Sequence, residues 1–303
     1  MVRRAAAPRR RRPHLPDETA DRTLRRLLAE QRAVVAAREP AARKGSTAAL
    51  HDVRVALRRM RSLTTTFAKI EPEFLADLDD RLATTCDRMG AARDLDVWIE
   101  LFRDFAASGG AKVLSERERR RILAALRFQR TQLAAAALAC GPFRRAKKML
   151  REFLRGRRPR RTRPPPAAAA CAARRILKVR ALVAKRHGRV GNFSKGPAHD
   201  LRRAGRRLRY LSEFFAADLG RDCVRAGHWI TKAQAALGKV HDCDSALELS
   251  LELPTGRARA AVRKHLRARR AAQLRKFKTA WRHYADRRLQ KAWRERLEVW
   301  AGT

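Results

Sequence analysis

The sequence predicts an all-α protein of two related helical bundles. Three observations point there: apolar residues recur at helical spacing, strand patterns are nearly absent, and two motifs recur at one common offset. Residues 1–16 hold six Arg and three Pro, and residues 155–166 hold six Arg and four Pro. Neither stretch carries the pattern of a packed element, so the first reads as a disordered basic tail and the second as a linker. The first helical half then spans 17–154 and the second 167–303.

Within the first half, Leu24, Leu27, Leu28, Val34 and Val35 mark a helix near 17–39, and Val53, Leu57, Met60, Leu63 and Phe67 mark another near 47–70. Further helices are expected near 73–88, 91–107, 115–139 and 142–154. Ser115 and Glu118 have capping-box spacing at the start of the fifth. The second half repeats the series near 167–187, 197–217, 221–236, 239–251, 257–285 and 286–299. There Pro197 stands in a first turn, where a helix tolerates proline.

The repeats share one spacing. HDVRVALRRMR at 51–61 matches HDLRRAGRRLR at 199–209 at seven of eleven positions, an offset of 148 residues. GAARDLD at 90–96 matches GKVHDCD at 238–244 at the same offset. Compositional bias alone does not place two motifs at one common spacing close to half the chain.

Charge bounds the function. The 303 residues contain 73 Lys plus Arg against 30 Asp plus Glu, a formal net charge of +43. Self-repulsion on that scale calls for an anionic partner. Apolar residues still make up 45% of the chain, enough for a real core, which excludes disorder throughout. The five cysteines show no C-x-x-C pair and no metal-ligand spacing, which fits a reducing cytoplasm. The basic N-terminus lacks the apolar run of a signal peptide, and the longest apolar run, Leu133 to Cys140, is too short to span a bilayer. A soluble cytoplasmic protein is expected.

The duplicated motif carries a basic stripe. At about 100° per residue, His51, Arg54, Arg58 and Arg61 fall within roughly 80° of arc, opposite Val53, Met60, Leu63 and Phe67. His199, Arg202, Arg206 and Arg209 repeat the arrangement opposite Leu201, Leu208, Leu211 and Phe215. Ordinary solvated faces mix signs to gain i,i+4 pairs. Stacked arginines repel unless an anion lies between them, and the guanidinium fork matches phosphate oxygens. His51 and His199 head the stripes, where protonation would strengthen an anion contact. Asp94 and Asp96, like Asp242 and Asp244, lie two apart on a helix and point to different sides, so a shared metal is not expected. One Asp of each pair is expected to hydrogen-bond a stripe arginine or to cap a helix.

These motifs resemble the CHAD family, the conserved histidine α-helical domain, with its helix of the form H-x-x-R-x-x-x-R-R-x-R and a downstream G-x-x-R/H-D-x-D segment, both repeated. The resemblance covers about residues 17–300. It implies two helical bundles related by a pseudo-twofold axis, with basic helices lining a central groove or pore that binds inorganic polyphosphate, serving granule association or regulation of polyphosphate metabolism. Carried over, His51, Arg54, Arg58, Arg59, Arg61, His199, Arg202, Arg206, Arg207 and Arg209 contact phosphate. Arg127, Arg130, Arg275 and Lys278 are lesser candidates, related by the same offset. The sequence departs from the pattern where His241 replaces Arg93 and where Gly205 stands in place of Leu57, which suggests a looser second half.

No cofactor is implied, and neither is an enzyme: there is no Gly-rich phosphate loop, no carboxylate cluster for two metals and no readable nucleophile and base pair. The alternative is nonspecific nucleic-acid binding, which the charge suits. Aromatics, however, make up only 6% of the chain, few for base stacking.

Overall fold

The structure, a computed structural model, describes residues 18–108, 113–156, 166–253 and 256–302. The tail expected at 1–16 and most of the linker expected at 155–166 lie outside them. Ten α-helices follow in order among the described residues: α1 Ala20–Arg43, α2 Thr47–Thr66, α3 Pro72–Ser108, α4 Glu116–Ala139, α5 Gly141–Arg155, α6 Ala168–Gly188, α7 Lys195–Leu219, α8 Arg221–Leu249, α9 Gly256–Tyr284 and α10 Arg287–Ala301. The expected capping box forms, with Ser115 and Glu118 bonding each other's backbone at the start of α4.

Twelve helices were expected, and the difference falls at two glycines. Residues 73–88 and 91–107 form one helix through Gly90, and 221–236 and 239–251 form one through Gly238. A single interior glycine costs a helix only about 1 kcal/mol, which packing along both flanks outweighs. Gly205 does not loosen α7 either. A Cβ there would stand 2.1 Å from Nε2 of Gln234 on α8, so the Gln234 side chain fills the space that a larger residue at 205 would take. In the first half the same two positions hold Leu57 and Cys86, a large-and-small pair in place of a small-and-large one.

The halves do not keep separate cores. One buried cluster runs from Ala20 to Ala301 and draws on both, including Leu24, Met60, Met89, Leu208, Phe215 and Trp293. A second joins Trp98, Phe102 and Phe105 of α3 to Val262 and Leu266 of α9. Several contacts pair a residue with its own counterpart 148 positions on. Thr19 and Ala167 form an antiparallel bridge, with Ala20 N donating to Pro166 O at 2.9 Å and Ala168 N to Glu18 O at 3.0 Å. The rings of Phe67 and Phe215, both fully buried, meet edge to face at 6.2 Å. Self-pairs of this kind are what a twofold relation between the halves requires.

One backbone position is also matched. Gly45 precedes α2 with φ +94° and Phe193 precedes α7 with φ +59°. Glycine adopts this region freely, whereas phenylalanine takes it at a cost of about 1–2 kcal/mol. Phe193 is held there by burial and by an edge-to-face contact with Phe277 at 5.3 Å.

Candidate functional site

The two stripes start from well-defined helix beginnings. Ser46 caps α2 by accepting from Ala49 N, and Ser194 precedes α7 with extended backbone. On α2, Val53, Leu57, Met60 and Leu63 are buried, and on α7, Leu201, Leu208 and Leu211 are buried. That burial fixes each helix's rotation and turns its basic side to the same space. A cleft of about 710 Å³ between α2, α3, α7 and α8 is lined by His51, Arg54, Arg58 and Arg61 on one side and His199, Arg202, Arg206 and Arg209 on the other. All eight expected stripe residues therefore share one cavity.

Their pairing differs along the stripe. Arg61 holds Asp79 through Nε and Nη2, both at 3.2 Å, and Arg209 reaches Glu213 at 3.3 Å. Arg59, also expected at the site, donates to the same Glu213 at 2.6 Å in an ion pair that bridges α2 and α7, and it is not among the residues lining the cleft. Arg207 lies in a small adjoining pocket of about 60 Å³ with Arg58, Arg61 and Arg206. Among the described residues, Arg54, Arg58, Arg202 and Arg206 have no carboxylate within ion-pair distance.

The cost of burial without a partner is clearest at Arg54 and Arg206. Arg54 is only 5% exposed, and its Nε has no hydrogen-bond partner. Burial, then repulsion from Arg58, pushes its guanidinium down to about 9. Burial and the neighbouring Arg58 and Arg202 push Arg206 down to about 9 as well. Both stay charged at neutral pH, so the cost is relieved by an anion between them rather than by proton loss. The neighbouring imidazoles are biased toward the neutral form. Burial, with Arg93 and Arg54, holds His51 below the usual histidine value, and burial with Arg202 does the same to His199. His241, stacked on His199 at 5.1 Å, is pushed down to about 3 by burial and by Arg202.

The acidic motifs divide their roles differently from the expectation. Asp96 accepts from Arg130 Nε at 2.8 Å, while Arg130 Nη1 donates to Gly45 O at 2.9 Å. Asp244 accepts from Arg270 Nε at 2.6 Å, while Arg270 Nη2 donates to Phe193 O at 2.6 Å. The bonded arginines come from α4 and α9, not from the stripes. These twin clamps tie the turn before each basic helix to the acidic motif. Asp94 and Asp242 line the cleft instead, without a hydrogen bond to a stripe arginine. Burial pushes the Asp242 carboxyl up, and Arg202 pulls it partly back.

The clamps also correct the lesser candidates. The counterpart of Arg130 is Arg270, at an offset of 140 rather than 148, because the stretch from Asp244 to the start of α9 is eight residues shorter than that from Asp96 to the start of α4, chiefly through the earlier end of α8. Arg275 and Lys278 accordingly do not line the cleft. Arg275 is exposed on α9, and Lys278 Nζ lies 6.0 Å from the Phe193 ring. Arg127 and Arg130 line a neighbouring cavity that shares His51 and Arg93 with the main one. Arg93, Arg203 and Lys239 also line the cleft. Arg203, one residue past Arg202, lies between stripe and flank in a helical projection, so periodicity alone does not select it.

Fold and site define an all-helical protein built around a cationic cleft. The chain belongs to the CHAD domain family, whose model matches residues 26–250. Among solved structures it is similar to the crystal structure of the CHAD domain from the plant Ricinus communis, at 22% identity and a TM-score of 0.60 over 94% of this chain and 93% of that one. It is similar also to PptA from Streptomyces chartreusis, at 17% identity and a TM-score of 0.62 over 91% and 99%. No curated protein matches the sequence. No helix among the described residues is long and apolar enough to cross a membrane, all five cysteines are free, and no group of three His, Cys, Asp or Glu among those residues could hold a metal ion.

Proposed function

We propose that this protein binds inorganic polyphosphate in the cleft between α2 and α7 and leaves it chemically unchanged. The observation that carries the reading is the placement of Arg54, Arg58, Arg202 and Arg206 on facing walls of one cavity with no carboxylate paired to them. A linear phosphate chain supplies the missing anions along the length of both stripes, since ten residues of helix rise about 15 Å. Membership in the CHAD family agrees with this choice of ligand, and granule association or regulation of polyphosphate metabolism is the role it serves.

Nucleic acid fits the cleft less well. Tyr210, the aromatic residue in its lining besides the histidines, is 2% exposed, and its ring has the Arg209 guanidinium 5.0 Å away. It offers no open face for a base to stack on. Competition between long-chain polyphosphate and DNA for the purified protein at physiological salt tests the reading. Polyphosphate is expected to displace DNA of matched charge, and equal or tighter DNA binding sinks the proposal. The protein is also expected neither to hydrolyse nor to extend the polymer with divalent cations present. Phosphate release that survives purification and vanishes in Asp94→Asn or Asp242→Asn would reverse that view.

A further inference from the structure

We infer that the cleft continues at one end only, past His51, into a second anion pocket at the N-terminus of α2 that takes a further stretch of the same linear polyanion. The inference rests on the polyphosphate reading and adds a direction to it.

The pocket, of about 720 Å³, joins the main cleft at His51 and Arg93, which line both. Its walls carry Arg93, Arg103, Arg127 and Arg130 against Asp96 and Glu100. Asp96 is already engaged by Arg130, so the remaining charge is positive. Thr47 and Ala48 lie on the wall as the first residues of a 20-residue helix, where backbone N–H groups have no intrahelical acceptor and the helix dipole favours an anion. A second observation points to the ligand independently. Arg130 is 4% exposed, uses Nε and Nη1 on Asp96 and Gly45, and has no partner for Nη2. Arg93, Arg103 and Arg127 have no carboxylate within ion-pair distance among the described residues.

The other end keeps Arg267 and Arg270 in the places of Arg127 and Arg130 but changes the rest of the lining. His241 stands where Arg93 is, with its ring stacked on His199. Leu251 stands where Arg103 is, 148 residues on. Lys195, in the place of Thr47, spans the start of α7 to pair with Glu248, the counterpart of Glu100. The two ends therefore offer a chain different continuations: past His51 a pocket with three unpaired arginines, past His199 a lining in which Lys195 is paired to Glu248 and two of the arginine positions are replaced.

The test compares two double variants of equal charge loss, Arg103→Ala with Arg127→Ala and Arg267→Ala with Arg275→Ala, each checked for an unchanged melting transition. Binding of tripolyphosphate and of long-chain polyphosphate is measured across a salt series. The first variant should lose about tenfold in long-chain affinity, as expected when hydrogen bonds to charged groups are removed. Its salt slope should flatten by about 1.5, since each phosphate contact contributes roughly 0.7–0.9. Tripolyphosphate, short enough for the main cleft, should bind within twofold of the wild type. The second variant should stay within twofold for both ligands. Equal losses in the two variants, or an equal loss for short and long chains in the first, would overturn the inference while leaving polyphosphate binding intact. Wild-type protein that fails to bind long-chain polyphosphate would end both.

Discussion

Two buried arginines of opposite standing give the sharpest test at the level of single residues. Arg130 is bonded to Asp96 and Gly45, whereas Arg54 is nearly as buried with its Nε unmatched. Removing one partner of a buried pair costs about 3–5 kcal/mol, and removing an uncompensated buried charge does not. Arg130→Met should therefore lower the melting temperature steeply. Arg54→Met should leave it unchanged or raise it while weakening polyphosphate binding at least tenfold, a contrast that paired melting and titration experiments would read directly. The histidines make a second prediction. In the free protein His51, His199 and His241 are held below the usual histidine value by burial and arginines. A bound polyanion reverses the arginine contribution and raises them, so the complex holds more protons and affinity should increase as pH falls from about 8 to 6. Stability of the free protein should move the other way. The unfolded imidazoles protonate first, so folding free energy is lost as pH drops below the ordinary histidine value of about 6.5. Proton uptake on binding, measured by calorimetry in buffers of different ionisation enthalpy, checks the sign. The stripes themselves were legible in the sequence because helical periodicity places residues three and four apart on one face. Which arginines remain unpaired was legible only in part: Glu213 lies four residues past Arg209 on α7, whereas Asp79 reaches Arg61 from α3, a position that no periodicity links to the motif.

Helix by helix, the sequence located every element, and its errors were at glycines and at one connection. Gly90 and Gly238 looked like ends but stand inside helices, each with nothing within 4 Å of where a methyl group would project. Gly90→Ala should consequently raise stability by up to about 1 kcal/mol, the helix-propensity difference, measurable as a shift in the denaturant midpoint. Gly205 should respond oppositely. A methyl there collides with Gln234, so Gly205→Ala should destabilise by roughly 1–2 kcal/mol, in the range of overpacked cores. Gln234→Ala in the same chain should restore most of the loss, a coupling that a double-mutant cycle would detect. The constant offset of 148 was reliable through the acidic motif because both halves keep the same register to that point. Beyond it the earlier end of α8 moves the register, and only the twin clamps of Arg130 and Arg270 on Asp96 and Asp244 reveal the new alignment.

For the molecule as a whole, the question is whether geometry or total charge governs binding. Replacing Arg54, Arg58 and Arg61 by Ala should cost far more affinity than replacing Arg9, Arg10 and Arg11 of the tail, although both remove three charges. Replacing Arg202, Arg206 and Arg209 should cost about as much as the first set, because the two stripes face one cavity. Loss confined to the α2 stripe would show a one-sided site. A net charge of +43 also sets opposite salt responses: added salt should stabilise the free protein by screening self-repulsion while weakening its hold on polyphosphate. The pairing of Thr19 with Ala167 and of Phe67 with Phe215 bears on descent. Contacts between a residue and its own counterpart are those a homodimer of half-length chains would make, with Phe67 meeting Phe67 across the axis. In such a dimer every substitution is made twice, and a change that suits one side of the axis is imposed on the other. A tandem chain is free of that constraint. Leu57 and Cys86 can drift to Gly205 and Gln234 in one copy only, and Arg93 can become His241 without emptying the opposite pocket. Two matched halves held in one chain can therefore present unlike surfaces at the two ends of one cleft.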